Sequence, residues 1–433
     1  RKYILIKNKD SNIENFKRSL RRKTNKSEVP LSKSIVKNIP IYEGKEVNER
    51  SLEEDYKIAL LREWSNVFKE GSGIIVIKKG IANLKVISKA TSVFTKLIET
   101  EKEKFNSGGD HFAKPGANDR VWNALEKHCI YDPDNFCQYY SSPSIRLASE
   151  AWLGPCYQVT AQINRVNPGG EAQTAHRDYH LGFMTVEQAS KYPEHVHTFS
   201  PFLTLQGAVA HCDMPIESGP TKLLPFSQNF TSGYLVYGNP EYQEHFENNY
   251  VQIPLEIGDL IFFNPAILHA AGNNTSTDIF RMANLLQISS PFGRAMETVN
   301  RLKMSLTVYP ILLDAKLHNK ISEIEIDNVI AACSEGYSFP TNLDLDPPVN
   351  GLAPLTQTQI MRKALYEKNS FESLKKELIE QYAMNKAYDY YHNNGYEVED
   401  GLVAHMFEVA KGQRRMMSDE EVREAISKYT DLS

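Results

Sequence analysis

Apolar residues change their spacing along this chain, and each change marks a different kind of element. Over residues 52–69, Tyr56, Leu60, Leu61, Trp64, Val67 and Phe68 recur at near-helical spacing, which predicts an amphipathic helix. Gly71-Ser72-Gly73 ends it, and Ile74 to Ile77 reads as a short buried strand. A second helical stretch covers about 82–104, and residues 106–122 read as a long loop rich in Gly, Asn, Asp and Pro. From 156 to 290, β-branched and aromatic runs separated by Gly, Pro and Asn clusters predict strands. After about 300 the pattern is helical again. Residues 357–390 and 400–430 predict three or four helices joined near Asn393-Asn394-Gly395.

Two of the strands alternate informatively. In Tyr157–Asn164, one face carries Gln158, Thr160, Gln162 and Asn164, and the other carries Tyr157, Val159, Ala161 and Ile163. Such a polar face either meets water or lines a wet site. In Phe202–Ala210, Thr204 and Gln206 share a face with Ala208 and Ala210. The opposite face, with Leu205, Val209 and His211, should pack against flanking helices.

Composition narrows the class. The chain has 433 residues and a formal net charge of −5, which allows a large core and points to neither nucleic acid nor an acidic membrane surface. No run reaches the length of a membrane-spanning helix, and no signal-peptide or peroxisomal-signal pattern is visible. Five scattered cysteines without a C-x-x-C pair argue for a reducing, cytoplasmic setting and against a disulfide framework or a zinc finger. Residues 1–45 are polar and basic, with Arg18, Arg21, Arg22 and Lys23 close together, and read as a solvated or loosely packed extension.

Candidate chemistry sits in two segments. One is His176-Arg177-Asp178, an H-x-D that follows the turn-forming Asn167-Pro168-Gly169-Gly170. The other runs from Gly258-Asp259 through an apolar strand to His269, with Arg281 twelve residues later. Two imidazoles and a carboxylate can occupy one face of an octahedral metal and leave three adjacent positions open, which suits non-haem Fe(II). Arg281 enters a strand, Met282 to Ile288, and a buried guanidinium there implies an anionic partner. H-x-D alone is a weak signal, because His211-Cys212-Asp213 is a second one. His180, His195 and His197 read as structural or substrate-side residues rather than ligands.

Taken in order, these motifs resemble the phytanoyl-CoA dioxygenase family over about residues 70–295. The segment Gly219-Pro220-Thr221-Lys222-Leu223-Leu224-Pro225-Phe226-Ser227-Gln228 belongs to the match. It departs from the family at Pro225-Phe226-Ser227-Gln228, where Pro-Gly-Ser-His is usual. The resemblance implies a mainly β core with α: a double-stranded β-helix, or jelly roll, flanked by helices, plus a helical C-terminal region. It implies an oxygenase domain over 46–300, with the basic extension (1–45) before it and the helical region (301–433) after it. It implies Fe(II), 2-oxoglutarate as co-substrate and O2, with His176, Asp178 and His269 as ligands and Arg281 on the 5-carboxylate. Gln162 and Asn164, nearest the H-x-D, are the candidates for further co-substrate contacts, with Gln206 a candidate of the same kind. Arg120 and Trp122, in the long loop, are candidates for substrate contact. The implied activity is hydroxylation of an aliphatic C–H of a small-molecule or acyl substrate, with release of succinate and CO2. A non-oxidative His/Asp metalloenzyme and a non-catalytic binding protein on the same fold are the alternatives.

Overall fold

The computed structural model describes Ile6 and residues 11–105, 116–337, 343 and 346–386. Among these residues the strands are β1 (Ser34–Val36), β2 (Ile39–Glu43), β3 (Ile74–Lys78), β4 (Asn118–Val121), β5 (Gln158–Val166), β6 (Thr204–Ala210), β7 (Lys222–Leu224), β8 (Leu260–Phe263), β9 (Leu268–Ala270) and β10 (Arg281–Ser289). Eight of them form one sheet in the order β1-β2-β3-β8-β6-β10-β5-β4. Only the β2–β3 pair is parallel. β7 and β9 pair antiparallel as a second, two-stranded sheet.

The alternation read in the sequence decides the two faces of the main sheet. Val159, Ala161, Ile163, Leu205, Val209, Leu286 and Ile288 are fully buried, and burying each large aliphatic side chain contributes roughly 1.5–3 kcal/mol. The helices Glu54–Lys69 and Pro143–Leu153 pack on β3 and β6 respectively. On the other face, Ala208, Ala210, Ile261, Phe263, Ala283 and Leu285 line a cavity. One end of that face is closed by a core that includes Ile41, Val76, Met214, Leu223, Ile253 and Leu255.

The stretch before residue 46 differs from the expected loose extension. Phe16 is 2% exposed and packs against Phe230 and Tyr242 at ring distances of 5.2 and 5.1 Å. β1 and β2 are strands of the main sheet, and Ile39, Ile41 and Tyr42 are buried. A few isolated apolar anchors among many charges are enough to dock a segment, and a charge count hides them. The expected loop over 106–122 is also shorter than read. Residues 106–115 lie outside the described residues, but Asn118–Val121 is β4. Its Asp119 is buried and pairs with Lys102 at 2.6 Å and Arg165 at 2.7 Å.

The chain divides into two compact units, Arg1–His128 with Gln138–Thr298, and Cys129–Cys137 with Val299–Ser433. The second contains the helices Arg301–Leu317, Glu323–Cys333, Gln357–Glu367 and Phe371–Lys386. Capping boxes at Ser322/Glu325 and Thr356/Gln359 start two of them by satisfying otherwise unpaired backbone N–H groups. The helices expected over 400–430 lie outside the described residues. No helix among the described residues is long and apolar enough to cross a membrane.

Candidate active site

Backbone pairing brings the two motif histidines together. His176 N–H donates to the His269 carbonyl at 2.9 Å, and His269 N–H returns the bond at 3.1 Å. The imidazole centroids are 4.5 Å apart. Each ring is then oriented by its Nδ1, which lies 2.9 Å from the Thr174 carbonyl in His176 and 2.8 Å from the Ile267 carbonyl in His269. A carbonyl can only accept, so both Nδ1 atoms carry the proton and both Nε2 atoms present lone pairs. Asp178 Oδ2 lies 3.3 Å from His269 Nε2 and 3.7 Å from His176 Nε2. The three ligand atoms all fall within 4.8 Å of one another.

Every polar handle of Asp178 that faces the protein is held. Its N–H donates to Pro265 at 3.1 Å, its carbonyl accepts from Tyr234 Oη at 2.6 Å, and its Oδ2 accepts from Gln206 Nε2 at 2.7 Å. Burial pushes its pKa up, but the two imidazoles and the Gln206 amide outweigh burial and hold the carboxyl below the usual carboxylate range. Burial, helped by His269, pushes the His176 imidazole down against the opposing pull of Asp178. Both shifts favour the deprotonated donors that a metal needs. The donor set therefore fits a divalent ion of intermediate softness: two oriented neutral nitrogens and one carboxylate.

The residue between these ligands is a clamp. The Arg177 guanidinium is buried, donates to the Ser227 carbonyl and lies 5.2 Å from the Tyr234 ring centre. A Cβ on Gly233 would collide with it. Ser227 in turn accepts from Leu268 N–H at 2.8 Å, next to His269. This is the segment where the sequence departs from the family pattern. Phe226, at the usual Gly position, has φ 71°, the left-handed conformation that glycine adopts freely.

The cluster opens into a cavity of about 870 Å³ that Arg281 also lines. Arg281 is 7% exposed, and burial lowers its guanidinium to about 10. Its Nη1 donates to the Ser218 carbonyl at 2.7 Å, and no carboxylate pairs with it among the described residues. The other candidates share the cavity. Gln162 lies 3.5 Å from Arg120 Nη1, and Asn164 accepts from Asn118 at 3.2 Å. Arg120 sits on β4 opposite Asn164, 5.0 Å from the Trp122 ring centre.

The competing histidines lie elsewhere. His211, in the second H-x-D, is buried on the helix side of the sheet, 2.8 Å from Thr91 Oγ1 and 2.9 Å from Tyr139 Oη. His180 lies 3.2 Å from Ser200 Oγ, and His197 is 3.0 Å from the Ala189 carbonyl. Sequence reasoning missed Gln287, Tyr179, Phe183 and Met296, which line the cavity, and Tyr234, which holds Asp178. Only Gln287 left a signal. It lies six residues beyond Arg281 in one strand, and so on the same face.

Residues 82–283 match the phytanoyl-CoA dioxygenase (PhyH) family. Among solved structures, the non-heme alpha ketoglutarate dependent epimerase SnoN from nogalamycin biosynthesis is 17% identical, with 54% of this chain and 82% of that chain covered at a TM-score of 0.36. The carbocyclase SnoK from the same biosynthesis is 19% identical, with 53% and 84% covered at a TM-score of 0.37. No curated protein matches the chain. The chain is thus similar to the phytanoyl-CoA dioxygenase family over residues 82–283, a little under half of its length.

Proposed function

We propose that this protein is an Fe(II)- and 2-oxoglutarate-dependent dioxygenase that hydroxylates an aliphatic C–H of a small-molecule or acyl substrate, releasing succinate and CO2. One observation carries the reading: a single cavity holds both a His-Asp-His cluster and a buried guanidinium without a carboxylate partner among the described residues. A site prepared for a cation at one point and an anion at another suits a metal with a chelating dicarboxylate.

In this reading His176, Asp178 and His269 hold the iron, and Arg281 holds the far carboxylate of 2-oxoglutarate. Ala208, Ala210, Ile261, Ala283 and Leu285 give that region a wall of mostly small apolar side chains, suited to a methylene chain. When bound, the iron would supply the oxidising chemistry with O2. The protein does the rest. The Thr174 and Ile267 carbonyls keep both Nδ1 protons in place. Gln206 and Tyr234 fix the Asp178 carboxylate and backbone. Arg120 and Trp122, on the same cavity, are the proposed substrate contacts.

The scaffold is proposed to be a double-stranded β-helix. In this reading the main sheet is one layer, and the β7–β9 pair, extended by its bridge partners His176 and Val251, is the facing one. Its proposed extent is 46–300. The five cysteines, none of them in a disulfide, support a reducing, cytoplasmic setting.

The test is anaerobic titration with Fe(II) and then 2-oxoglutarate. One Fe(II) per chain and a weak visible charge-transfer band are expected. His176→Ala and Asp178→Ala should lose both. A normal band in both variants would refute the ligand assignment. Metal binding without any 2-oxoglutarate turnover would favour a non-oxidative metalloenzyme.

A further inference from the structure

We infer that the cavity binds its substrate through an uncharged hydrogen-bond donor, an amide N–H or an alcohol O–H, held by Gln206 and Gln287 beside the metal cluster. This rests on the oxygenase reading above and names the chemistry of its substrate.

Gln206 on β6 and Gln287 on β10 face each other in register. Both line the cavity, and they are 5% and 7% exposed. The Oε1 atom of each has no hydrogen-bond partner among the described residues. Buried amide oxygens are normally paired, because one left unpaired forfeits its hydration for nothing. Two such atoms on facing residues of one cavity wall point to a missing partner that the ligand supplies.

The orientation of Gln206 fixes the sign of that partner. Its Nε2 donates to Asp178 Oδ2 at 2.7 Å, and turning the amide would set two oxygens against each other at that distance. The atom left over on Gln206 is therefore an acceptor, and its complement is an N–H or an O–H. The Gln287 side-chain oxygen has no hydrogen-bond partner among the described residues, and its amide can turn to present either end. A carboxylate cannot donate to Gln206. An ammonium could donate, but it would be buried among Gln162, Tyr179, Phe183 and Trp122, and among the described residues Asp178 is the one acidic side chain that lines the cavity. A neutral donor satisfies both amides without burying an uncompensated charge.

The experiment uses four six-carbon probes of equal reach: hexanamide, 1-hexanol, hexanoate and hexylamine. Thermal unfolding is followed anaerobically on the full chain loaded with Fe(II) and 2-oxoglutarate. The shift caused by Fe(II) and 2-oxoglutarate alone tests the oxygenase reading, separately from the probes. Hexanamide or 1-hexanol should then raise the melting temperature further, with little effect from the two ions, and the larger neutral shift identifies amide or alcohol.

Gln287→Met supplies the second arm. It keeps the side-chain length and removes the unpaired amide. The probe-free melting temperature should stay level or rise by about 2–4 °C, while affinity for the neutral probes falls about tenfold. A melting temperature lowered by Gln287→Met would make the residue structural and overturn the inference. Tighter binding of hexanoate or hexylamine than of both neutral probes, or no shift from either neutral probe, would overturn it as well.

Discussion

Replacing Arg281 by Met separates a ligand-binding arginine from a structural one. Burial takes its guanidinium from the usual range down to about 10, which corresponds to roughly 3 kcal/mol spent on keeping the charge in the ligand-free protein. Met removes that burden with a side chain of similar length. It also leaves the Ser218 carbonyl, on a fully buried residue, without its donor, at about 1–3 kcal/mol. The two effects oppose each other, so ligand-free stability should change by no more than about 2 kcal/mol. Affinity for 2-oxoglutarate behaves differently. Losing one member of a desolvated charge pair costs about 2–5 kcal/mol, or about 30-fold to several-thousand-fold in Kd. The assay is the melting temperature of the Fe(II)-loaded protein with and without 2-oxoglutarate. At a hundred times its Kd the co-substrate adds about 2.7 kcal/mol, which for a domain of this size is about 5–10 °C. At the same co-substrate concentration that shift should fall to about a third or less in Arg281→Met while iron stays bound. A retained shift would place the carboxylate partner elsewhere. A collapse of ligand-free stability would make Arg281 a structural residue.

Two further substitutions probe the supports of the site. Gly233→Ala should lower stability by about 1–3 kcal/mol and weaken Fe(II) binding, because its new methyl would displace the guanidinium of Arg177, whose backbone joins His176 to Asp178; denaturant unfolding and iron titration read both, and an unchanged iron affinity would remove Arg177 from the clamp. His211 gives a pH signature. Its imidazole is held at about 3 by burial and by nearby His128, so between about pH 6.5 and 3 the unfolded chain binds a proton that the folded chain refuses. Its stabilising contribution is complete above pH 6.5 and declines as the pH falls towards 3. His211→Gln should therefore show a shallower loss of melting temperature from pH 6.5 to 4 with iron binding intact, and an equally steep loss would assign the acid sensitivity to other groups.

What the sequence determined was local: the identity of the candidate donors and the face each strand residue occupies. His176, Asp178 and His269 were legible because an H-x-D and a strand ending in His keep their spacing wherever the fold carries them. Strand alternation grouped Gln162 with Asn164, and Gln206 with Ala208 and Ala210, and all of these line the cavity. It also put His211 on the helix side, away from the metal cluster. Tertiary structure decided what depends on register between distant segments. The His176–His269 pairing joins residues far apart in the chain, and the amide oxygens of Gln206 and Gln287, unpartnered among the described residues, meet only because β6 lies beside β10. Tyr234 reaches the Asp178 carbonyl from a short helix whose sequence carries no catalytic pattern. Arg120 proved to be a strand residue because Asn118–Val121 pairs with β5, which a polar, turn-rich composition did not suggest. Phe16 was hidden by the charges around it. The physical reason is common to these cases. Spacing along the chain fixes direction within one element, whereas burial, pairing and charge compensation are properties of neighbours that only folding brings within reach.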